Sequence, residues 1–527
     1  MKPFRTAALK PAPFALKLPF APSMALCLVT ALLAGCGTQV RNPVTGQLQR
    51  TVMDEKQEVA TGSKNHQEIL KEYGQYPDAK LQAYVNEVGQ KLAKQSHRAE
   101  LAWHFTVLDS PVINAFALPG GYVYITRGLM AYLDSEADLA GVLGHEIGHV
   151  TARHGAQQAT QQQTASIGVL AASVLGAVLE AKGVSGAGRV ASDVSQSVAS
   201  GLIASHSREH ETEADRLGAE YLARSQYNPA NMVDVIQVLK SQETFAADQA
   251  RAQGRAAPSG NDWLATHPSN DKRLQDIREV ATHYPGPAQG RYADDGRQRY
   301  LAAIRGMAFG DSADQGLVRG PHFLHPGLNV ALTAPAGWRI DNGADTLTVL
   351  APDRTAALAM KLVPTSVGTD HQQVLQKALQ PTAGRTWATQ VGGMRATRFE
   401  GQRRNAQGQT VNAQATVVDG PQGRVYLFVP MAQNTQALAQ HRAGLEAAEA
   451  SFRALSAADQ ALARPWAVST TAYPKGGWAA LAAQSPLPAP AEPALKLLNG
   501  FYGDHTGAPN GREPAVGSPV KTVVAKP

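Results

Sequence analysis

From about His66 to Tyr284, apolar positions recur mainly at helical spacing. Leu81, Tyr84, Val85, Val88 and Leu92 fall on one face, the pattern of an amphipathic helix laid on a core. Leu139, Val142, Leu143 and Val150 predict a second helix, with Ser135 placed to cap it and Asp138 three residues on. One stretch breaks the helical period. Val112–Ala117 and Tyr122–Thr126 flank Pro119-Gly120-Gly121 and predict a β-hairpin. From 317 to 456 apolar and polar residues alternate, as in Val417-Val418-Asp419-Gly420 through Arg424–Val429, which predicts a small mixed domain with several strands. Residues 286–316, rich in Gly, Asp and Pro, read as a linker. Residues 457–527 close the chain. The expected fold class is α+β: a mainly helical domain over 66–285 with a small hairpin, followed by smaller mixed α/β domains.

The N-terminal 35 residues follow another logic. A basic start precedes the apolar run Met24–Ala34, too short to cross a bilayer core of about 30 Å as a helix. It reads as the apolar segment of a signal peptide. Leu33-Ala34-Gly35-Cys36 resembles a bacterial lipobox, which implies cleavage before Cys36 and lipidation of its thiol. Gly37 points to the outer membrane. Residues 36–65 are polar, contain Asn42-Pro43-Val44-Thr45-Gly46, and read as a lipid-anchored tether. A second apolar run, Ile167–Leu179, is interrupted by Gly168 and Gly176 and spans 13 residues. That length predicts a buried or interfacial helix rather than a membrane span.

Charge narrows the partners. Lys2, Arg5, Lys10 and Lys17 lie in the first 35 residues, so the net charge of +6 becomes +2 once that stretch is removed. A nearly balanced chain gives no reason to expect a nucleic-acid partner. With Cys27 in the signal and Cys36 as anchor, neither of the two cysteines is left for a disulfide, a thiolate metal site or a nucleophile.

His145-Glu146-Ile147-Gly148-His149 is the sharpest chemical signal. On a helix, residues i and i+4 share a face, so His145 and His149 offer two imidazoles to one metal ion. Glu146 projects beside them as a proton acceptor. A catalytic zinc keeps three protein ligands, and residues 207–215, Ser-Arg-Glu-His-Glu-Thr-Glu-Ala-Asp, supply candidates for the third. Glu211 and Asp215 are spaced i, i+4, as are His206 and His210, and Glu213 lies between. Spacing alone leaves these rivals open.

His145-Glu146-Ile147-Gly148-His149 followed by Glu211-Thr212-Glu213-Ala214-Asp215 resembles the M48 (Ste24/HtpX-type) zinc metallopeptidases. With the lipobox and the Asn-Pro-Val-Thr-Gly tether, it is similar to their periplasmic lipoprotein branch. The resemblance implies a gluzincin-like fold and one zinc ion (Zn2+) per chain, held by His145, His149 and Glu211. Asp215 would orient a ligand imidazole, and Asn114, Ala115, Phe116 and Ala117 would form the edge strand beside the cleft. It further implies that Glu146 takes the proton of the attacking water and passes it to the leaving amine. His267, in Thr266-His267-Pro268, would either stabilise the oxyanion or fill the fourth donor position as a latch. Arg208 and Arg273 are expected as supports, and His154, His206 and His210 as structural or solvent-facing.

Residues 457–527 resemble a LysM-like glycan-binding module, through Pro474–Ala482, Leu497-Leu498-Asn499-Gly500 and Gly517-Ser518-Pro519-Val520. They depart from it where Lys475-Gly476-Gly477 stands in place of the usual Gly-Asp-Thr turn. Peptidoglycan is the partner that resemblance would bring. The functional expectation is a zinc endopeptidase, an outer-membrane lipoprotein facing the periplasm, that hydrolyses unfolded or misassembled envelope polypeptides. The alternative is a mostly latched, chaperone-like partner of outer-membrane assembly.

Overall fold

A computed structural model describes residues 38–163, 206–252, 267, 271–284, 292, 294–343, 345–405, 408–503 and 513–526. The signal peptide, Cys36 and Ile167–Leu179 lie outside the described residues. The chain divides into two compact units. Among the described residues, the first takes in 38–42, 46–54 and 156–163. In its described part, β1 (Thr38–Arg41) pairs antiparallel with β2 (Leu48–Thr51), and the Val52 amide donates to the Thr160 hydroxyl at 3.1 Å.

The second unit includes Pro43–Thr45, and its first helix is α1 (Glu55–Tyr73). Residues 36–65, expected as a tether, thus carry from Thr38 onward a hairpin and half of a helix. The polar surface of α1 concealed its two fixed points. Glu58 is buried in an ion pair with Arg98 at 2.9 Å and Arg153 at 3.0 Å. Gly62 lies so close to the hairpin that a Cβ would fall 2.0 Å from the Pro119 carbonyl oxygen.

α2 (Ala79–Ala93) buries the predicted face, and the Asp78 carboxylate caps it by accepting from the Lys80 and Leu81 amides. It covers a three-stranded sheet of order β3 (His104–Leu108), β5 (Tyr122–Thr126), β4 (Ala115–Leu118). β3 runs parallel to β5, while β4 and β5 form the predicted hairpin. After α3 (Arg127–Tyr132) comes α4 (Glu136–Thr151), buried along its whole length. Ser135 and Asp138 form the predicted capping box, each side chain accepting from the other's backbone amide. α5 (Arg208–Arg224) and α6 (Asn231–Ala252) pack against it, and α7 (Asp271–Thr282) packs on α5 and α6.

The stretch expected as a linker corrects the sequence reading. It contains α8 (Arg297–Ala303), which buries Tyr300 in the core shared with α2 and α4, and β6 (Ala308–Phe309). Strands β7 (Leu317–Arg319), β8 (His322–His325) and β9 (Val330–Thr333) form a four-stranded sheet with β17 (Arg453–Ala454). A seven-stranded antiparallel sheet follows the order β10 (Arg339–Asn342), β11 (Leu347–Leu350), β12 (Ala356–Leu362), β16 (Val425–Ala432), β15 (Thr410–Asp419), β14 (Met394–Arg404), β13 (Pro381–Val391). Both faces of its central strands are buried, while β13 stays largely exposed. α9 (His371–Leu379) packs Val374 and Leu375 on Phe399, Val417 and Leu427; α10 (Thr435–Ala450) packs Leu445 with Val418, Tyr426 and Phe428.

After α11 (Ala457–Leu462), the C-terminal segment runs β18 (Trp466–Ala472), α12 (Gly477–Ala482), α13 (Ala491–Leu498), β19 (Pro519–Ala525). β18 lies between β19 and β6. Val468, Trp478, Leu495 and Val523 belong to the same core as Leu143 and Tyr300. The segment is therefore not a separate body. Among the described residues, no helix is long and apolar enough to cross a membrane.

Candidate metal centre

Two helices bring the chemistry together, and glycine sets their separation. A Cβ on Gly144 would lie 3.4 Å from the Gly218 Cα, and one on Gly148 would lie 3.0 Å from the Ala214 carbonyl oxygen. At Gly144 a Cβ would make ordinary contact, but at Gly148 it would crowd the Ala214 carbonyl, so Gly148 is the glycine that lets α5 approach α4 this closely. The approach carries Glu211, in the first turn of α5, to the imidazoles of α4. His145 Nε2 lies 3.0 Å from His149 Nε2 and 3.5 Å from Glu211 Oε2, and His149 Nε2 lies 3.3 Å from Glu211 Oε1. His267 completes the group, its Nδ1 3.0 Å from Glu211 Oε1 and 3.3 Å from His145 Nε2. All four side chains are buried.

This donor set fits a metal. Four ligands at 2.0–2.1 Å around a tetrahedral zinc are separated by about 3.3 Å, and the separations above run from 3.0 to 3.5 Å. His145, His149, Glu211 and His267 each offer a ligand atom within 4.8 Å of the others. Glu146 is buried beside them, and among the described residues neither carboxylate oxygen is hydrogen-bonded; His267 Nε2 lies 3.7 Å away. Burial raises its carboxyl above the usual range, against the pull of His267 and His145. A buried carboxyl without a hydrogen-bond partner costs stability, which is expected of a proton acceptor held beside a reacting centre.

The surroundings fix the donors. His145 Nδ1 lies 2.9 Å from Asp215 Oδ1. Burial alone would depress the His145 imidazole, but hydrogen bonds to Asp215 and Glu211 push it up to about 9. Burial would raise Glu211, yet the His267 charge and the three imidazole contacts hold it well below the ordinary range. Arg273, at the start of α7, binds Asp215 through Nε at 2.5 Å and Nη2 at 2.8 Å, and reaches Glu211 Oε2 through Nη1 at 2.8 Å. Arg208, expected as a support, is exposed on a neighbouring cleft.

Of His154, His206 and His210, expected as structural or solvent-facing, His154 and His206 pack on His149 and His210 packs on His154. His154 is fully buried with its Nδ1 2.8 Å from His149 Nδ1. His206 stacks on His149 with centroids 4.0 Å apart, and His210 stacks on His154 at 4.1 Å. Burial lowers His206 to about 3 and His210 to about 4, helped by neighbouring imidazoles. Sequence reasoning missed this layer because Arg153, just beyond α4, is left-handed at φ 63 and turns His154 back toward His149. The predicted edge strand is β4, which begins at Ala115. It packs against α4 and has no strand partner on its outer side among the described residues.

Residues 79–281 match the description Peptidase family M48. Over 208 residues the chain is 35% identical to a beta-barrel assembly-enhancing protease of Yersinia pestis, covering 39% of this chain and 40% of that one. The protein of the same name from Escherichia coli (strain K12) is 35% identical over 205 residues, 39% of each chain. The mitochondrial metalloendopeptidase OMA1 of Schizosaccharomyces pombe is 30% identical over 220 residues, 41% of this chain and 58% of that one. The match thus spans about two fifths of the bacterial relatives. Over residues 79–281 the chain is similar to peptidase family M48.

Proposed function

We propose that the chain is a zinc-dependent endopeptidase, lipid-anchored at the outer membrane and facing the periplasm, that hydrolyses misfolded or misassembled envelope proteins. The observation that carries the catalytic half is the convergence of His145, His149 and Glu211 beside the buried Glu146. The envelope half rests on the lipobox-like Leu33–Cys36 and on relatives named as beta-barrel assembly-enhancing proteases.

His145, His149 and Glu211 would hold the zinc. When bound, zinc polarises a peptide carbonyl and makes water acidic enough to attack near neutral pH. Glu146 takes the proton of the attacking water and delivers it to the departing amine, so one carboxylate acts as base and then as acid. Asp215 fixes the His145 ring with Nε2 facing the donors. The outer edge of β4 can add a substrate strand through backbone hydrogen bonds, which suits an enzyme that must accept many unfolded sequences.

His267 supports a second reading. Its Nδ1 stands where a fourth donor would, so the protein would be mostly latched and would act on envelope assembly chiefly by binding. The test uses protein lacking residues 1–36, assayed for zinc content and casein cleavage, alongside Glu146→Gln. Glu146→Gln should keep zinc and fold but lose hydrolysis. Turnover retained in that variant, with contaminating proteases excluded, sinks the assignment. Rescue of an envelope defect by Glu146→Gln as well as by wild type would favour the binding role.

A further inference from the structure

A histidine that ligates a metal through Nε2 needs its other nitrogen held by an acceptor, or the ring can turn and the tautomer can change. For His145 that acceptor is Asp215. For His149 it is not a carboxylate. Its Nδ1 meets His154 Nδ1 at 2.8 Å, and His154 Nε2 meets Glu213 Oε2 at 3.2 Å. One proton assignment with neutral rings makes both contacts hydrogen bonds while leaving His149 Nε2 unprotonated. Glu213 as a carboxylate only accepts, so His154 Nε2–H donates to it. His154 Nδ1 is then a bare acceptor, and His149 Nδ1–H donates to it. Resting on the metal-centre reading above, we propose that His154 and Glu213 are positioning residues: an imidazole–carboxylate relay that holds His149 with Nε2 toward the metal.

Helix geometry explains why a relay is needed. Glu211, Glu213 and Asp215 all lie on α5. Glu211 and Asp215 share a face, whereas Glu213 is turned about 200° from Glu211 around the helix axis. It is not on the face that meets α4, so an intermediary must span the gap. The left-handed Arg153, tied to Glu58 at 3.0 Å, returns the chain so that His154 fills that place. Stacking of His206 on His149 and of His210 on His154 restrains both rings. The acids of Glu211-Thr212-Glu213-Ala214-Asp215 then have three destinations: the donor cluster, His154 and His145.

The test measures zinc affinity of the full chain by competition with a chromophoric chelator, at fixed pH and salt, with thermal unfolding of the metal-free protein alongside. His154→Phe keeps the ring and removes the acceptor, and should weaken zinc binding roughly 10–100-fold. Glu213→Ala should weaken it by a smaller factor, and Glu213→Gln, which still offers an acceptor oxygen, should recover most of that loss. Because both residues act through one relay, the double variant His154→Phe, Glu213→Ala should bind no more weakly than His154→Phe alone. Zinc affinity within about twofold of wild type in His154→Phe, or losses that multiply in the double variant, overturns the relay. Should His154→Phe fail to fold, Glu213 decides: wild-type affinity in Glu213→Ala overturns the proposal. If His149→Ala binds zinc as tightly as wild type, the metal-centre reading itself has failed.

Discussion

The two ring nitrogens of His145 face different partners. Nδ1 meets Asp215, and Nε2 meets the donors. That division separates ligand from orienter at the level of single substitutions. Glu211→Ala removes a donor and should lose most bound zinc, whereas Asp215→Ala leaves the donors and should weaken metal binding or activity roughly 10–100-fold. Full zinc in Glu211→Ala, measured by metal analysis, would overturn the ligand set. His267 gives a prediction whose sign is informative. Its Nδ1 sits among the donors, so His267→Ala should raise peptidase activity by opening the fourth position. A fall of about 10²–10³-fold would instead assign it to the oxyanion, and activity within about twofold of wild type would remove both roles. His145 and His149 were legible in sequence because helical spacing alone puts them on one face, and Glu146 because the motif sets it beside them. Glu211 needed the family resemblance to separate it from His210 and Glu213. His154 was unreadable, since its approach to His149 depends on one left-handed residue that no local pattern announces.

Between elements, the decisive joint is α7 against α5. Arg273 neutralises two buried carboxylates, and helical periodicity gives no sign of which arginine will do so. Burial would raise Asp215, but the Arg273 guanidinium and the His145 imidazole hold it below the ordinary carboxylate range. Removing one partner of a buried ion pair costs about 3–5 kcal/mol, so Arg273→Ala should destabilise the metal-free protein by that order at neutral pH. The sign with pH follows from the direction of the shift. A carboxyl depressed in the folded state contributes stability above its unfolded pKa of about 4, and that contribution disappears as pH falls through the folded value. The deficit of Arg273→Ala should therefore narrow on acidification. Denaturant unfolding of chelator-treated protein at neutral pH and in mild acid, near the unfolded carboxyl pKa, checks this; a gap that widens toward acid would exclude the clamp. The elements themselves were largely legible. The capping box at Ser135, the buried face of α2 and the β4–β5 hairpin all follow from local pattern. α1 was not legible, because a buried Glu58 and a crowded Gly62 hold it in place of an apolar stripe.

Across the molecule, chain order misleads. β6 precedes the seven-stranded sheet and β18 follows it, yet Ala308 pairs with Ala467 and Phe309 with Trp466. The strand-rich domain is thus an insertion whose ends meet, while the C-terminal segment belongs to the peptidase side. Lys521 on β19 shows how firmly it does. The residue is fully buried, its Nζ 3.0 Å from the Ala131 carbonyl oxygen, 2.7 Å from that of Leu133 and 3.0 Å from Asp134 Oδ1, just before the cap of α4. A sequence read from left to right sees three consecutive domains, because a pairing between Ala308 and Ala467 leaves no local trace. The arrangement makes two deletions differ in outcome. Cutting the chain after 456 exposes Trp478's partners and orphans two buried carbonyls, each worth about 1–3 kcal/mol, so that protein should aggregate or melt without a cooperative transition. Excising 312–463 and joining the ends with a short flexible linker leaves the peptidase-side core whole, and the strand-rich domain keeps its own core out of it. The excised protein should unfold cooperatively and retain zinc. Thermal unfolding followed by circular dichroism, with metal analysis of both proteins, makes the comparison. A folded, zinc-loaded protein from the C-terminal cut, beside an unfolded one from the excision, would restore the linear order of domains.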